Sequence, residues 1–337
     1  MHLLVLNRLA HPDAAEWLRA AGWEITALRA NPDPALDDPA NAAAFATADV
    51  LHVSLPGRVS ADLLARMPRL RLVTTVGAGY QNVDVEAATA SGIAVANQSG
   101  VGNVVVAEHA VGLMLALSRR LVSMHNDFVA QGWRARGAFQ RRLSAGYATV
   151  LAGKTAGIVG LGHIGARIAR TLRAGFDMRV AGYSPATPQA VFDELDAERV
   201  DNLDSLCARA DFLVVVTNYT PQKHHMIGAA QLAAMKPTAV LVNAGRGPLI
   251  DQQALHDALK AGRIAGAGLD VFDPEPTADA EPLLKLDNVV LTPHVAGLAK
   301  EVEEALARAQ MEQLRQLGTG ARPERIVNPG VWDKRRR

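Results

Sequence analysis

The hexapeptide Gly160-Leu161-Gly162-His163-Ile164-Gly165 follows a β-rich run, residues 155–159, and opens a helical run, residues 166–174. A second β-rich run begins at Met178, so the order is strand, glycine turn, helix, strand, the opening of a βαβ unit. In that setting the glycines permit a tight turn, close approach of the backbone to a pyrophosphate and close packing of helix on strand. The helix N-terminus then faces the anion. The motif predicts dinucleotide binding by Gly160, Gly162, His163, Ile164 and Gly165; the blander alternative is a glycine turn with a structural role only.

The strand after such a turn ordinarily ends in an acid that bonds the ribose hydroxyls. Here its tip reads Gly182-Tyr183-Ser184-Pro185, and Asp177 lies before the strand. Ser184 is therefore the expected ribose contact. A missing carboxylate removes repulsion against a 2′-phosphate, yet no Arg or Lys follows until Arg199, so NAD and NADP both stay open, with a slight lean to NADP.

The same alternation runs through the whole chain. β-rich runs at 2–7, 23–28, 50–54, 70–76 and 93–98 are separated by amphipathic stretches such as 60–66 and 84–91, and a second series follows at 155–159, 178–184, 211–217, 239–243, 264–271 and 289–292. This predicts an α/β protein of two doubly wound parallel sheets, consistent with two domains for 337 residues. With 49% apolar residues, disorder is excluded as the dominant state. A formal charge of +1 argues against nucleic acid or an anionic membrane as partner. Cys207 is the only cysteine, which excludes an intrachain disulfide or a cysteine-based zinc site; no metal is expected, and the cytoplasm is the default compartment.

The N-terminus reads as a first strand rather than a signal peptide, and the apolar stretch 104–117 carries Glu108 and His109 and is too short to span a membrane. One helix is expected over 104–129, followed by an Arg- and aromatic-rich arm at 131–149 that packs on something else, a partner subunit being one candidate. A helix is expected at 300–317, the ordered pattern should end at Val327-Asn328-Pro329 with a return to the first sheet, and residues 334–337 read as a solvated basic tail. The Pro-rich patch 31–39 reads as a surface loop.

Three further segments each place polar residues just beyond a predicted strand: Asn243-Ala244-Gly245-Arg246-Gly247, Asp270-Val271-Phe272-Asp273-Pro274-Glu275-Pro276, and Thr292-Pro293-His294-Val295-Ala296-Gly297. Carboxyl ends of parallel strands converge on a ligand crevice, so Arg246, Asp270, Glu275 and His294 are candidates for one site. Taken singly, each has an ordinary structural reading.

With Val73-Thr74-Thr75-Val76-Gly77-Ala78-Gly79, Val106-Ala107-Glu108-His109 and Gly153-Lys154-Thr155, these segments resemble the D-2-hydroxyacid dehydrogenase family in order and spacing, from residue 73 to Gly297. The resemblance implies catalytic Arg246, Glu275 and His294, carboxylate binding by the loop Val76-Gly77-Ala78, and contact of Asp270 with the nicotinamide amide. It also implies a Rossmann cofactor domain, residues 102–297, inserted into a flavodoxin-like substrate domain, residues 1–101 and 298–337, and a homodimer. The chemistry suits these types: a forked, permanently charged Arg holds a carboxylate and polarises a ketone, while His gives or takes the proton, oriented and kept protonated by the Glu.

Some positions depart from the family pattern. Val216-Thr217-Asn218-Tyr219 replaces a His-x-Pro stretch near the adenine, and Ser54 stands where phosphoglycerate dehydrogenases tend to place an Arg for phosphate, although Arg58 is close. No regulatory domain fits after residue 330. Glu275 in place of Gln argues against formate as substrate. The expectation is an NAD(P)-dependent reductase of small 2-keto acids such as glyoxylate or hydroxypyruvate. The alternatives are D-3-phosphoglycerate dehydrogenase lacking a regulatory domain and a non-catalytic dinucleotide-sensing corepressor.

Overall fold

A computed structural model describes residues 1–29, 38–54, 57–143 and 148–336 of the chain. Residues 31–37 of the Pro-rich patch 31–39 and residues 144–147 of the arm 131–149 therefore lie outside the described residues. Two compact units divide the chain: Met1–Gly102 with Gly297–Arg337, and Asn103–Ala296.

In the first unit, β1 (His2–Leu6), β2 (Glu24–Leu28), β3 (Val50–Val53), β4 (Leu72–Thr75) and β5 (Ala94–Ala96) form a parallel sheet in the order β2-β1-β3-β4-β5. That is the flavodoxin-like doubly wound order. The central strands are buried along their whole length, which is why they read as continuous apolar runs rather than as alternating ones. The C-terminal segment completes this unit: helix Lys300–Gly318 packs Leu314 and Leu317 against Leu3, Val5 and Leu72.

The chain then returns to the edge of the sheet, where the Val327 amide donates to the Val95 carbonyl at 2.7 Å. Asn328 grips the same strand, taking the Val95 amide at 2.8 Å and donating to the Ile93 carbonyl at 3.0 Å. Order does not stop there as expected. A 3₁₀ turn, Pro329–Lys334, buries Val331 and Trp332. Nor is the basic end wholly solvated: Arg335 stacks 3.5 Å from the Trp332 ring and Arg336 donates to the Met67 carbonyl at 2.9 Å. Guanidinium stacking on an indole is favourable even near the surface.

The second unit carries β6 (Thr155–Val159), β7 (Arg179–Tyr183), β8 (Glu198–Arg199), β9 (Phe212–Val215), β10 (Val240–Asn243), β11 (Gly266–Leu269) and β12 (Val289–Leu291). All run parallel, in the order β12-β11-β10-β9-β6-β7-β8. The order reverses between β6 and β9, the switch point at which a crevice opens beyond the strand ends. β8, only two residues long, is the strand that the sequence pattern missed.

The single helix expected over 104–129 is two, Asn103–Ser118 and Leu121–Gln131. Arg120 at φ +55° breaks the ladder between them. The first helix buries Ala107, Ala110, Val111, Leu113, Met114 and Leu117, whereas the second buries nothing. The apolar composition runs through both, which hid the break. A 3₁₀ turn, Gly132–Arg134, and helix Ala135–Leu143 occupy most of the expected arm. Among the described residues no helix is long and apolar enough to cross a membrane.

Candidate active site

The glycine turn leaves β6 with Gly160 at φ +99°, its amide donating to the Tyr183 carbonyl at the end of β7 at 2.9 Å. A Cβ on Gly160 would lie 2.9 Å from the Thr217 backbone, and one on Gly165 would lie 2.0 Å from the Gly160 carbonyl oxygen. Packing therefore demands both glycines. Gly162 is different: a Cβ there would meet nothing within 4 Å. It is the N-cap of helix His163–Phe176, and no side chain caps that helix. Free N-terminal amides beside an open backbone fit a bound pyrophosphate, so the residues present suit a dinucleotide.

Beyond β7, Ser184-Pro185-Ala186-Thr187 form a turn closed by the Thr187 amide on the Ser184 carbonyl at 3.0 Å, with the two hydroxyls 2.8 Å apart. Arg199 reaches this turn, donating to the Thr187 carbonyl at 3.0 Å. In sequence it looked remote from the ribose position. The short strand β8 brings it back, because it pairs with β7 and sets Arg199 opposite Gly182.

Arg246, Asp270, Glu275 and His294 all lie in the second unit, beyond the ends of β10, β11 and β12. Buried Asn243 folds the first of these loops: its Oδ1 accepts the Gly245 amide and its Nδ2 donates to the Arg246 carbonyl, both at 3.0 Å. The loop passes so close to the next one that a Cβ on Gly247 would sit 1.8 Å from the Phe272 carbonyl oxygen. The Arg246 guanidinium donates to the Gly245 carbonyl at 2.5 Å. Burial pulls its pKa down from the ordinary value, and the charge of Glu275 opposes that.

The side chains of Glu275 and His294 meet, with Nδ1 2.6 Å from Oε2. The other Glu275 oxygen accepts the Phe272 amide at 2.9 Å, which fixes the carboxylate. No described residue bonds His294 Nε2, so that nitrogen is available for a reacting group. His294 itself is at φ +54°, a conformation that costs energy and clusters at functional sites.

Asp270 holds it there. Its carboxylate accepts from the Thr292 hydroxyl at 2.6 Å and from the Val295 and Ala296 amides at 2.9 Å each. The residue is 1% exposed. The carboxylate organises the His294 loop. Sequence reasoning assigned no role to His109 or Thr292. Because the Thr292 hydrogen goes to Asp270, the hydroxyl oxygen accepts from His109 Nε2 at 2.9 Å. The pairing of a histidine with a carboxylate far along the chain leaves no local signal in the sequence.

Val76, Gly77 and Ala78 lie in the first unit, just beyond β4. Gly77 takes φ +73°, and the Gly77 and Ala78 carbonyls are bonded by the Gln98 amide and the Asn97 side chain. No described residue accepts from the Gly77 and Ala78 amides.

Residues 111–296 match the family model for the D-isomer specific 2-hydroxyacid dehydrogenase NAD binding domain. The chain belongs to the D-isomer specific 2-hydroxyacid dehydrogenases. This dehydrogenase is 40% identical over 284 residues to a glyoxylate reductase of Korarchaeum cryptofilum, covering 84% of its own length and 83% of that protein. It is also 40% identical over 281 residues to a D-3-phosphoglycerate dehydrogenase of Methanocaldococcus jannaschii, covering 83% of its own length but only 52% of that protein. Among solved structures, it superposes with a TM-score of 0.82 at 30% identity on an NADPH-dependent glyoxylate/hydroxypyruvate reductase of Sinorhizobium meliloti in complex with NADP and malonate. That match covers 100% of this chain and 98% of the other. The dehydrogenase is an NAD(P)-dependent oxidoreductase that interconverts a 2-keto acid and its 2-hydroxy acid.

Proposed function

We propose that this dehydrogenase reduces small, unphosphorylated 2-keto acids of the glyoxylate and hydroxypyruvate type, with Arg246, Glu275 and His294 as its catalytic residues. The observation that carries the reading is the 2.6 Å pair of His294 Nδ1 and Glu275 Oε2, which leaves Nε2 as the working nitrogen. A nicotinamide cofactor held at the Gly160–Gly165 turn would supply or accept the hydride. His294 Nε2–H donates a proton to the alkoxide oxygen as it forms, and the neutral ring takes that proton back when the hydroxy acid is oxidised. Glu275 keeps Nδ1–H facing the carboxylate, so the proton in transit is the one on Nε2. Arg246 stabilises charge developing on the ketone oxygen and pairs with the substrate carboxylate through its planar fork. Carboxylate binding by the loop Val76-Gly77-Ala78 is proposed for the first unit, where no described residue accepts from the Gly77 and Ala78 amides. The second unit is then the cofactor domain and the first the substrate domain.

A phosphorylated substrate is the competing reading, favoured by the phosphoglycerate dehydrogenase relative. Against it stands Ser54, which is buried and uncharged, its hydroxyl accepting the Arg8 amide at 3.3 Å. We also place the enzyme in the cytoplasm, on the grounds of its cofactor and its single, buried, unpaired Cys207. We propose a homodimer through the helices at 103–143, supported by the apolar side chains that they expose. Oxidation of NADH and NADPH, followed with glyoxylate, hydroxypyruvate, pyruvate and phosphohydroxypyruvate, tests the substrate assignment. The highest kcat/KM is expected for glyoxylate or hydroxypyruvate, and a higher value with the phosphorylated acid would overturn it.

A further inference from the structure

We infer that Arg199, delivered by β8, turns the Ser184–Thr187 hairpin of chain into a 2′-phosphate site and biases this dehydrogenase toward NADPH. The inference rests on the dinucleotide reading of the Gly160–Gly165 turn and extends it to a residue outside the turn. The anchoring geometry is local. Gly160 bonds the Tyr183 carbonyl, so the glycine turn and the first residue beyond β7, Ser184, are neighbours at the same strand end. A ribose whose pyrophosphate lies on the helix N-terminus reaches that strand tip.

At this tip there is no carboxylate to hold the two ribose hydroxyls. There are instead two half-buried hydroxyls, Ser184 Oγ and Thr187 Oγ1, 2.8 Å apart. The guanidinium of Arg199 lies against the same turn. Its Nη1 donates to the Thr187 carbonyl at 3.0 Å, its Nη2 to the Pro185 carbonyl at 3.4 Å, and its Nε to Asp201 at 2.9 Å. The group sits 5.2 Å from the Phe192 ring centroid, which limits its swing. A guanidinium has five N–H donors, so these three bonds leave one on each terminal nitrogen, a fork suited to a phosphate.

Asp201 sets the size of the effect. Its carboxylate neutralises part of the Arg199 charge, but it is 84% exposed and well solvated, so it weakens the attraction without cancelling it. A preference carried by one shared guanidinium and two hydroxyls is moderate, and removing the counter-charge sharpens it.

The test is calorimetric titration of the purified enzyme with 5′-AMP and with 2′,5′-ADP, which differ only in the 2′-phosphate and need no turnover. Wild type is expected to bind 2′,5′-ADP more tightly. Arg199→Gln should weaken 2′,5′-ADP by about tenfold and leave 5′-AMP within about twofold, the scale of one charge-assisted bond. Asp201→Asn should widen the preference, and Arg199→Lys should keep part of it. A guanidinium that merely clamps the turn would instead weaken both nucleotides equally in Arg199→Gln, and that result overturns the inference while leaving the dinucleotide site intact. A wild-type enzyme that binds 5′-AMP at least as tightly also overturns it. If neither nucleotide binds wild type, the reading of the glycine turn fails and the inference falls with it.

Discussion

Asp270 and His294 are joined through main chain and side chain together: the His294 amide donates to the Asp270 carbonyl at 2.8 Å, and the Asp270 carboxylate takes the next two amides of the loop. A histidine in a left-handed conformation is thus held by a buried acid. In the proposed mechanism the acid positions the imidazole, and the proton work falls to that imidazole.

Asp270→Asn tests that division of labour. The amide offers one acceptor oxygen where three donors converge, so at least one buried donor loses its partner, at a local cost of about 1–3 kcal/mol. The expected result is a fall in kcat much larger than any change in cofactor affinity. Faster hydrogen exchange at the Val295 and Ala296 amides should accompany it. Unchanged exchange at both amides would show that the carboxylate does not hold the loop.

The two kinds of glycine in the phosphate turn make a second, sharper contrast. Gly165→Ala puts a Cβ 2.0 Å from the Gly160 carbonyl oxygen and should cost about 1–3 kcal/mol of stability, as overpacking does. Gly162→Ala meets no protein atom, so its thermal midpoint should match wild type while the affinity for NADH and NADPH drops by about tenfold, the loss of roughly one charge-assisted phosphate bond. Equal losses of stability in both variants would remove Gly162 from the cofactor surface.

Much of this architecture was legible because parallel strands buried on both faces announce themselves as short apolar runs. The run at 155–159 coincides with β6, and the candidate loops at Arg246, Glu275 and His294 do follow β10, β11 and β12. Other features were not legible, for identifiable reasons. β8 is two residues, Glu198 and Arg199, both charged, and carries no apolar signal. The break at Arg120 lies inside a continuous apolar stretch whose second half is exposed, so composition alone could not mark it. The internal role of Asp270 depends on amides from a distant loop, and backbone donors leave no trace in residue type.

That exposed second half bears on assembly. Leu121, Val122, Phe128, Val129 and Trp133 are each more than two-fifths exposed, with Phe128 and Trp133 in edge-to-face contact on the same surface. The expected mass by light scattering at micromolar concentration is twice the 35.8 kDa of one chain. Phe128→Asp combined with Val129→Asp should give a folded monomer. A wild-type mass of one chain would refute the dimer.

A buried histidine in the first unit predicts how stability depends on pH. His52 is enclosed with Nδ1 2.9 Å from the Thr74 hydroxyl and 2.7 Å from the Gln310 amide nitrogen, and burial lowers its pKa from 6.5 to about 4. The unfolded chain takes up a proton below pH 6.5 that the folded chain refuses until about pH 4. The contribution is therefore fully present above 6.5 and is lost as pH falls toward the folded value; by pH 5 the loss is about 2 kcal/mol. Urea unfolding at pH 7 and pH 5 should show this decline in wild type and a markedly smaller one in His52→Asn. Parallel declines in the two proteins would assign the pH dependence elsewhere.

The role proposed for His294, held by Glu275 and by the Asp270 loop, is that of proton donor in the reduction of a small 2-keto acid. It is tested most directly by comparing wild type with His294→Ala under saturating NADPH and glyoxylate, alongside the Kd for NADPH measured by fluorescence. The expected loss in kcat is about 10²–10⁴-fold, the usual worth of a positioned general acid, with Kd within about twofold of wild type. A variant that keeps wild-type turnover, or one whose lost activity is matched by lost NADPH affinity, would contradict it.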